Sequence, residues 1–171
     1  MQKIKAQIRD IPDFPEPGIL FKDLTPVIGD ATSLRRITTQ LAEPFERSGV
    51  TAVAGMEARG FIFGSLVAQQ LDVGFIPLRK PGKLPADTYS VSYELEYGAT
   101  SLEMHTDAVT PTDRILLIDD VLATGGTAAA SCALVRKGGA EIVACAFVIE
   151  LDFLDGRKLI DEYSIHSLIH F

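Results

Sequence analysis

Apolar positions in this chain gather into short unbroken runs separated by turns of small, polar or proline residues. The clearest run is Ile115-Leu116-Leu117-Ile118, which suits a strand covered on both faces, as strands of parallel sheets are. It ends on two adjacent acids, Asp119 and Asp120. The chain then passes through Ala123-Thr124-Gly125-Gly126-Thr127 into a predicted helix over residues 128–137, stopped by Gly138-Gly139. Further strands are predicted over residues 50–55, 73–78, 141–149 and 164–168, with a helix over 61–71. Residues 88–105 alternate instead: Tyr89, Val91, Tyr93 and Leu95, then Leu102 and Met104. That is the pattern of a two-stranded hairpin, turning through Tyr97-Gly98-Ala99.

Upstream, residues 2–9 predict a short helix with Ile4 and Ile8 on one face, ended by the restriction Pro12 places on Ile11. Residues 12–29 hold four prolines and two glycines, too many for regular structure. They also hold Phe14, Ile19, Leu20, Phe21 and Leu24, too apolar for a free linker, so the segment reads as a flap or arm packed on the body. Residues 30–48 contain a helix with Thr32 or Ser33 as its N-cap and Gly49 as its stop. Strands alternating with helices predict one α/β domain with a mainly parallel sheet. Ligands of such sheets bind beyond the carboxyl ends of the strands, near the topological switch point. Three polar turns follow predicted strands: residues 57–60, 79–83 and 119–127.

A chain of 171 residues can bury one substantial core without disulfides. Its net charge of −7 argues against a nucleic-acid partner, because that affinity comes from Lys and Arg neutralising phosphates. One dense basic run, Arg79-Lys80-Pro81-Gly82-Lys83, opposes the global charge and suits a small polyanion. Cys132 and Cys145 lack metal-ligand spacing and read as buried free thiols. With no signal peptide and no apolar run of spanning length, the chain reads as cytoplasmic with no membrane partner. The three histidines carry no assigned chemistry.

The strand–turn–helix at residues 115–137 offers an anion backbone N–H groups and the positive end of a helix dipole. Gly125 and Gly126 permit close approach, and Thr124 and Thr127 bring two hydroxyls. Two carboxylates beside a phosphate make sense accepting bonds from sugar hydroxyls, or reaching a hydrated Mg²⁺ through water. Residues 55–62 have the glycine spacing of a Walker A loop, but Phe61 and Ile62 stand where it needs Lys and Ser/Thr. What remains is Arg59 at a strand end. It is placed either to grip pyrophosphate or to pair with Glu57 on the surface.

The run Asp119-Asp120-x-x-Ala-Thr-Gly-Gly-Thr resembles the phosphoribosyl pyrophosphate (PRPP) motif of type I phosphoribosyltransferases. Glu-Ala-Arg-Gly-Phe (57–61), Arg-Lys-Pro-Gly-Lys-Leu-Pro (79–85), Leu-Glu-Tyr-Gly (95–98) and Pro-Asp-Phe-Pro-x-Pro-Gly-Ile-Leu-Phe-Lys-Asp (12–23) narrow the likeness to the adenine phosphoribosyltransferase family. It extends in order from about residue 11 to 149.

The resemblance implies a type I phosphoribosyltransferase fold spanning residues 1–171. An N-terminal arm and base-covering hood would occupy residues 1–30, and a flexible catalytic loop residues 80–105. It implies transfer of the phosphoribosyl group of PRPP to N9 of adenine, giving AMP and pyrophosphate, by a homodimer using Mg²⁺. Phe21 would stack on the purine, with the backbone near Leu20 and Lys22 reading its edge. Arg59, Lys80 and Lys83 would hold pyrophosphate. Asp119 and Asp120 would serve the ribose hydroxyls and, indirectly, Mg²⁺, while Ala123, Thr124, Gly125, Gly126 and Thr127 take the 5′-phosphate. Glu96 would be the proton-transfer group. Lys22 stands where the family more often has arginine, and nothing is assigned beyond Leu151. The competing readings are a phosphoribosyltransferase for another purine or pyrimidine, and a non-catalytic PRPP sensor.

Overall fold

The apolar run at Ile115 forms the middle of a five-stranded, wholly parallel sheet in a computed structural model that describes residues 1–94 and 99–171. The chain opens with α1 (Gln2–Lys5), β1 (Arg9–Pro12), β2 (Leu20–Asp23), α2 (Thr25–Ile28) and α3 (Ala31–Ala42). There follow β3 (Ala52–Met56), α4 (Gly60–Leu71), β4 (Gly74–Leu78), β5 (Thr88–Glu94) and β6 (Ala99–His105). The last third holds β7 (Arg114–Leu122), α5 (Gly126–Lys137), β8 (Glu141–Glu150) and β9 (Ile165–His170), with two short 3₁₀ turns between the last two strands.

The sheet runs β4-β3-β7-β8-β9. Its order reverses between β3 and β7, so the crevice expected of a doubly wound sheet lies beyond their carboxyl ends. Side chains of β7 alternate across the sheet. Ile115 and Leu117 enter one core layer with residues of α5, while Leu116 and Ile118 enter the opposite layer with residues of α3 and α4. All four are fully buried, each such side chain contributing about 1.5–3 kcal/mol. An unbroken apolar run here reflects two covered faces.

The sequence places β7 correctly but ends it too early. Pairing with β3 stops at Ile118, opposite Gly55, whereas pairing with β8 continues to Leu122, opposite Glu150. Asp119 and Asp120 are therefore strand residues with one ladder edge open toward the crevice. The predicted helix at residues 30–48 is α3. Its N-cap is Asp30, whose carboxylate accepts the Ser33 N–H at 2.9 Å, rather than Thr32 or Ser33. The first helix is shorter than expected, four residues.

Residues 12–29 are more regular than their prolines foretell. Leu20–Asp23 pairs antiparallel with Arg9–Pro12 to make a separate two-stranded ribbon. Pro12 is tolerated because it ends an edge strand. The predicted hairpin is present as β5 and β6, in register from Thr88 opposite His105 to Glu94 opposite Ala99. Its tip, including Glu96 and Tyr97, lies outside the described residues. Cys132 and Cys145 are buried free thiols with sulfurs 3.6 Å apart, as expected. Mutual hydrogen bonding and burial push the Cys145 thiol far up. Among the described residues, no helix is long and apolar enough to cross a membrane.

Candidate active site

Three strand ends deliver the polar turns to one place. The carboxyl end of β3 carries Glu57 and Arg59, that of β4 carries Arg79 and Lys80, and that of β7 carries the two acids and the glycine turn. Glu57 ties the first two together: its carboxylate accepts the Lys80 N–H at 2.8 Å and the Arg79 Nε–H at 3.2 Å. Partial burial opposes that charge, but the bonds from Lys80 and Arg79 outweigh it and hold the carboxyl below its ordinary range. The partner of Glu57 is thus Arg79, and a Glu57–Arg59 pair is not formed.

Arg79 is committed further. Its backbone bridges Glu103 on β6 in both directions, at 2.9 and 2.7 Å, and its guanidinium donates to the Lys83 carbonyl at 3.3 Å. Of the three cations in the basic run, this leaves the exposed Lys80 and Lys83 without a side-chain partner among the described residues. Those two, with Arg59, are the predicted pyrophosphate ligands. Arg59 heads α4 and places Nε 2.6 Å from Asp120 Oδ2. That contact is ionic only, since Oδ2 is buried and receives no hydrogen bond of good geometry.

Asp119 and Asp120 are both buried, and Asp119 accepts the Asp120 N–H at 2.8 Å. Burial, then the neighbouring Asp120 charge, pushes the Asp119 carboxyl well up. Burial raises Asp120 too, against the pull of Arg59. The pair of desolvated carboxylates, with Asp120 Oδ2 held against the Arg59 cation, has the oxygen donors that sugar hydroxyls and a hydrated divalent cation take up.

The glycine turn completes the crevice. Gly125 adopts φ 85°, a left-handed conformation that favours glycine. The helix begins at Gly126, two residues earlier than predicted, and no side chain caps it, so its first-turn N–H groups remain available to an anion. A small cavity of about 60 Å³ lies against Asp119, Thr124, Gly125 and Thr127. A larger hollow of about 480 Å³ lies beside Arg136, Glu162 and Tyr163, away from every strand end that carries this chemistry. Thr127 Oγ1 also donates to the Tyr93 hydroxyl at 3.2 Å, joining the hairpin to the turn. Tyr93 and Glu57 were assigned no such roles from the sequence. Glu57 lies inside the 57–61 motif, whereas Tyr93 reads only as one apolar beat in an alternation.

The ribbon of β1 and β2 reaches the same crevice. The Phe21 ring lies 5.1 Å from the Arg59 guanidinium and meets Phe14 edge-on at 5.2 Å, so aromatic ring, cation and acid form a continuous line into the site. Leu20 is exposed beside it. The Lys22 side chain turns elsewhere: its ammonium pairs with Asp10 at 2.7 Å and sits 4.1 Å from the centre of the Phe171 ring. Only its backbone is left for a base. Lys22→Met is accordingly expected to change ligand affinity in the crevice by less than about twofold while lowering the melting midpoint by about 2–4 °C. A loss of affinity of about tenfold, with folding intact, would give the ammonium a direct role.

The histidines play structural parts: His105 and His166 meet backbone groups of Ala86 and Gln40, and His170 meets Asp152. Near His170, Glu150 and Asp152 make a cluster with metal-ligating groups, but Glu150 is already matched by a two-bond contact from Arg157.

A profile of the phosphoribosyl transferase domain matches residues 30–169. The adenine phosphoribosyltransferase of Nitrosococcus oceani is 61% identical over 171 residues, covering 100% of both chains. That of Methylococcus capsulatus is 60% identical with the same coverage. Among solved structures, the adenine phosphoribosyltransferase of Thermoanaerobacter pseudethanolicus superposes with a TM-score of 0.97 at 52% identity, covering 99% of each chain. The Saccharomyces cerevisiae enzyme, solved with adenine and an imino-altritol bisphosphate, gives 0.93 at 36% identity, covering 98% of this chain and 97% of its own. The parallel sheet, its switch-point crevice and these likenesses agree: the chain belongs to the adenine phosphoribosyltransferase family and has the type I phosphoribosyltransferase fold.

Proposed function

We infer that the chain is an enzyme of adenine salvage, a pentosyltransferase that joins the phosphoribosyl group of PRPP to N9 of adenine and releases AMP and pyrophosphate. The observation that carries this is the convergence of the PRPP-type turn, the two acids and the Phe21 ribbon on one crevice. The relatives are named for adenine, and neither another base nor a sensor role has an observation in its favour.

In the mechanism we propose, the amides of residues 124–127 and the Thr124 hydroxyl bind the 5′-phosphate, joined by the Thr127 hydroxyl as it exchanges its bond to Tyr93 for the ligand. Asp119 and Asp120 accept the ribose hydroxyls and would hold Mg²⁺ indirectly, through water or PRPP. When bound, that ion neutralises charge on the diphosphate. Lys80, Lys83 and Arg59 stabilise pyrophosphate as the bond from its oxygen to C1′ breaks and an oxocarbenium-like centre develops. To do so Arg59 must exchange part of its contact with Asp120 for the leaving group. Phe21 stacks the purine so that N9 faces C1′, and the backbone at Leu20 and Lys22 reads its edge. Glu96 takes the proton that adenine loses as N9 bonds to carbon. We also propose a homodimer located in the cytoplasm, supported by the family resemblance, which sedimentation velocity and cell fractionation test.

Product formation from PRPP and Mg²⁺ with adenine, hypoxanthine, guanine and uracil in parallel tests the reaction and the base together. AMP and pyrophosphate are expected with adenine alone. Turnover with a different base would overturn the adenine assignment, and PRPP binding without turnover on any base would replace the enzyme with a sensor.

A further inference from the structure

The segment beyond Leu151 was given no chemistry, yet its second 3₁₀ turn, Gly156–Ile160, backs directly onto the glycine turn of the active site. Gly156 is buried. A methyl group placed on it would collide with the Ala123 carbonyl oxygen and stand 2.8 Å from the Gly125 nitrogen. A methyl group on Gly125 would in turn collide with the Gly156 carbonyl. The two glycines face each other with no room for a side chain on either.

Their reasons for being glycine differ. Gly125 sits at φ 85°, where backbone conformation already favours glycine. Gly156 lies outside the left-handed region, so only the contact with residues 123–125 excludes a side chain there. The turn that presents Gly156 is held at both ends. Arg157 donates two bonds to Glu150, at 2.8 and 2.7 Å, and the Glu150 side chain is only 5% exposed. Glu150 is the last residue of β8 and pairs with Leu122, the residue immediately before the glycine turn. At the other end Ile160 is buried in the core layer beneath α5.

An anion-binding turn works only if its N–H groups converge on one point, and a displacement of about 1 Å is enough to weaken such a site severely. We propose that Gly156 is a positioning residue for the 5′-phosphate: a flat backstop, seated by the Glu150–Arg157 pair, that holds residues 123–125 in their anion-binding shape. This rests on the reading of residues 123–127 as the phosphate site. It extends the functional part of the chain past the point where the family motifs end.

The discriminating measurement is the affinity for AMP set against that for adenosine, by ligand-observed NMR titration of the full chain without PRPP. The two ligands share base and ribose and differ by the phosphate. In Gly156→Ala, AMP affinity should fall by about tenfold or more, while adenosine affinity stays within about twofold of the parent. Equal loss for both ligands would mean general loosening, and no loss for either would mean the turn accommodates the methyl; each overturns the proposal. Should Gly156→Ala fail to fold, Arg157→Lys decides, because it keeps the charge but loses the two-bond fork. A loss confined to AMP supports the backstop, and any other pattern removes it. A parent protein that binds AMP no better than adenosine would overturn the phosphate-site reading itself, a result distinct from failure of the Gly156 variant.

Discussion

Asp119→Asn is expected to lower kcat/KM for PRPP by about a hundredfold to a thousandfold while leaving the protein at least as heat-stable as the parent at neutral pH. Both halves of this expectation come from the same burial. The Asp119 carboxyl is pushed well above its ordinary range by desolvation and by the adjacent Asp120, so folding disfavours its charged form. A raised folded pKa contributes stability that is fully present below the unfolded value, near the ordinary 3.8. That stability is lost as pH rises through the folded value. Above that window the parent carries the unfavourable charge and the variant does not. Asparagine keeps an oxygen to accept the Asp120 N–H, so the local hydrogen bond survives. Melting curves recorded from about pH 4 to about pH 8 should show the variant flatter than the parent, with the gap widening upward. A variant that melts lower than the parent at the alkaline end would mean that the carboxylate stabilises this fold. Full activity would free Asp119 from the ribose.

Glu96→Gln should lower kcat by about a hundredfold to ten-thousandfold, the usual worth of a positioned proton-transfer group, with PRPP affinity retained. Glutamine preserves size and polarity but loses the negative charge and, with it, the ability to take a proton. Single-turnover rates with PRPP and adenine, beside equilibrium binding of PRPP, separate the chemical step from assembly of the complex. Unchanged turnover would take Glu96 out of the mechanism, and a parallel loss of PRPP binding would recast it as a binding group.

How much of this is legible in the sequence depends on distance along the chain. The strand at Ile115–Ile118 and the turn that follows were readable because their signals are local: apolar continuity, then small residues and paired acids. Legible for the same reason were the hairpin, from alternation, and α4 with its arginine at the N-terminus. Contacts between distant segments were not. That Arg59 meets Asp120 depends on β3 and β7 being sheet neighbours, which no periodicity encodes. The continuation of β7 to Leu122 depends on β8 being longer than β3 on that side. Prolines made residues 12–29 look irregular, because propensity cannot register that an edge ribbon tolerates them. Gly156 gave no signal at all, since its importance lies in a surface it presents to another turn.

Asp30 was missed as a cap for a simpler reason. It immediately precedes the helix, and Thr32 and Ser33, two and three places on, are residue types that favour the same capping position. Its side chain accepts the Ser33 N–H, the ordinary capping geometry. The Lys22 departure from the family pattern also resolves in three dimensions, because the side chain serves Asp10 and Phe171 rather than the crevice.

The ribbon of β1 and β2 has its own two-stranded pairing and adds no strand to the main sheet. The groups assigned to PRPP sit at the strand ends of the sheet, and the ring assigned to stack on the base sits on this appendage. The two halves of the substrate problem therefore rest on different scaffolds, joined where Phe21 meets Arg59. None of the eight strand residues of the ribbon belongs to either core layer, so changes to its base-facing surface leave the packing of the central sheet in place. Selection acting on which base is salvaged has a small, cheap target, while the phosphoribosyl machinery stays under the much stiffer constraint of the central strands.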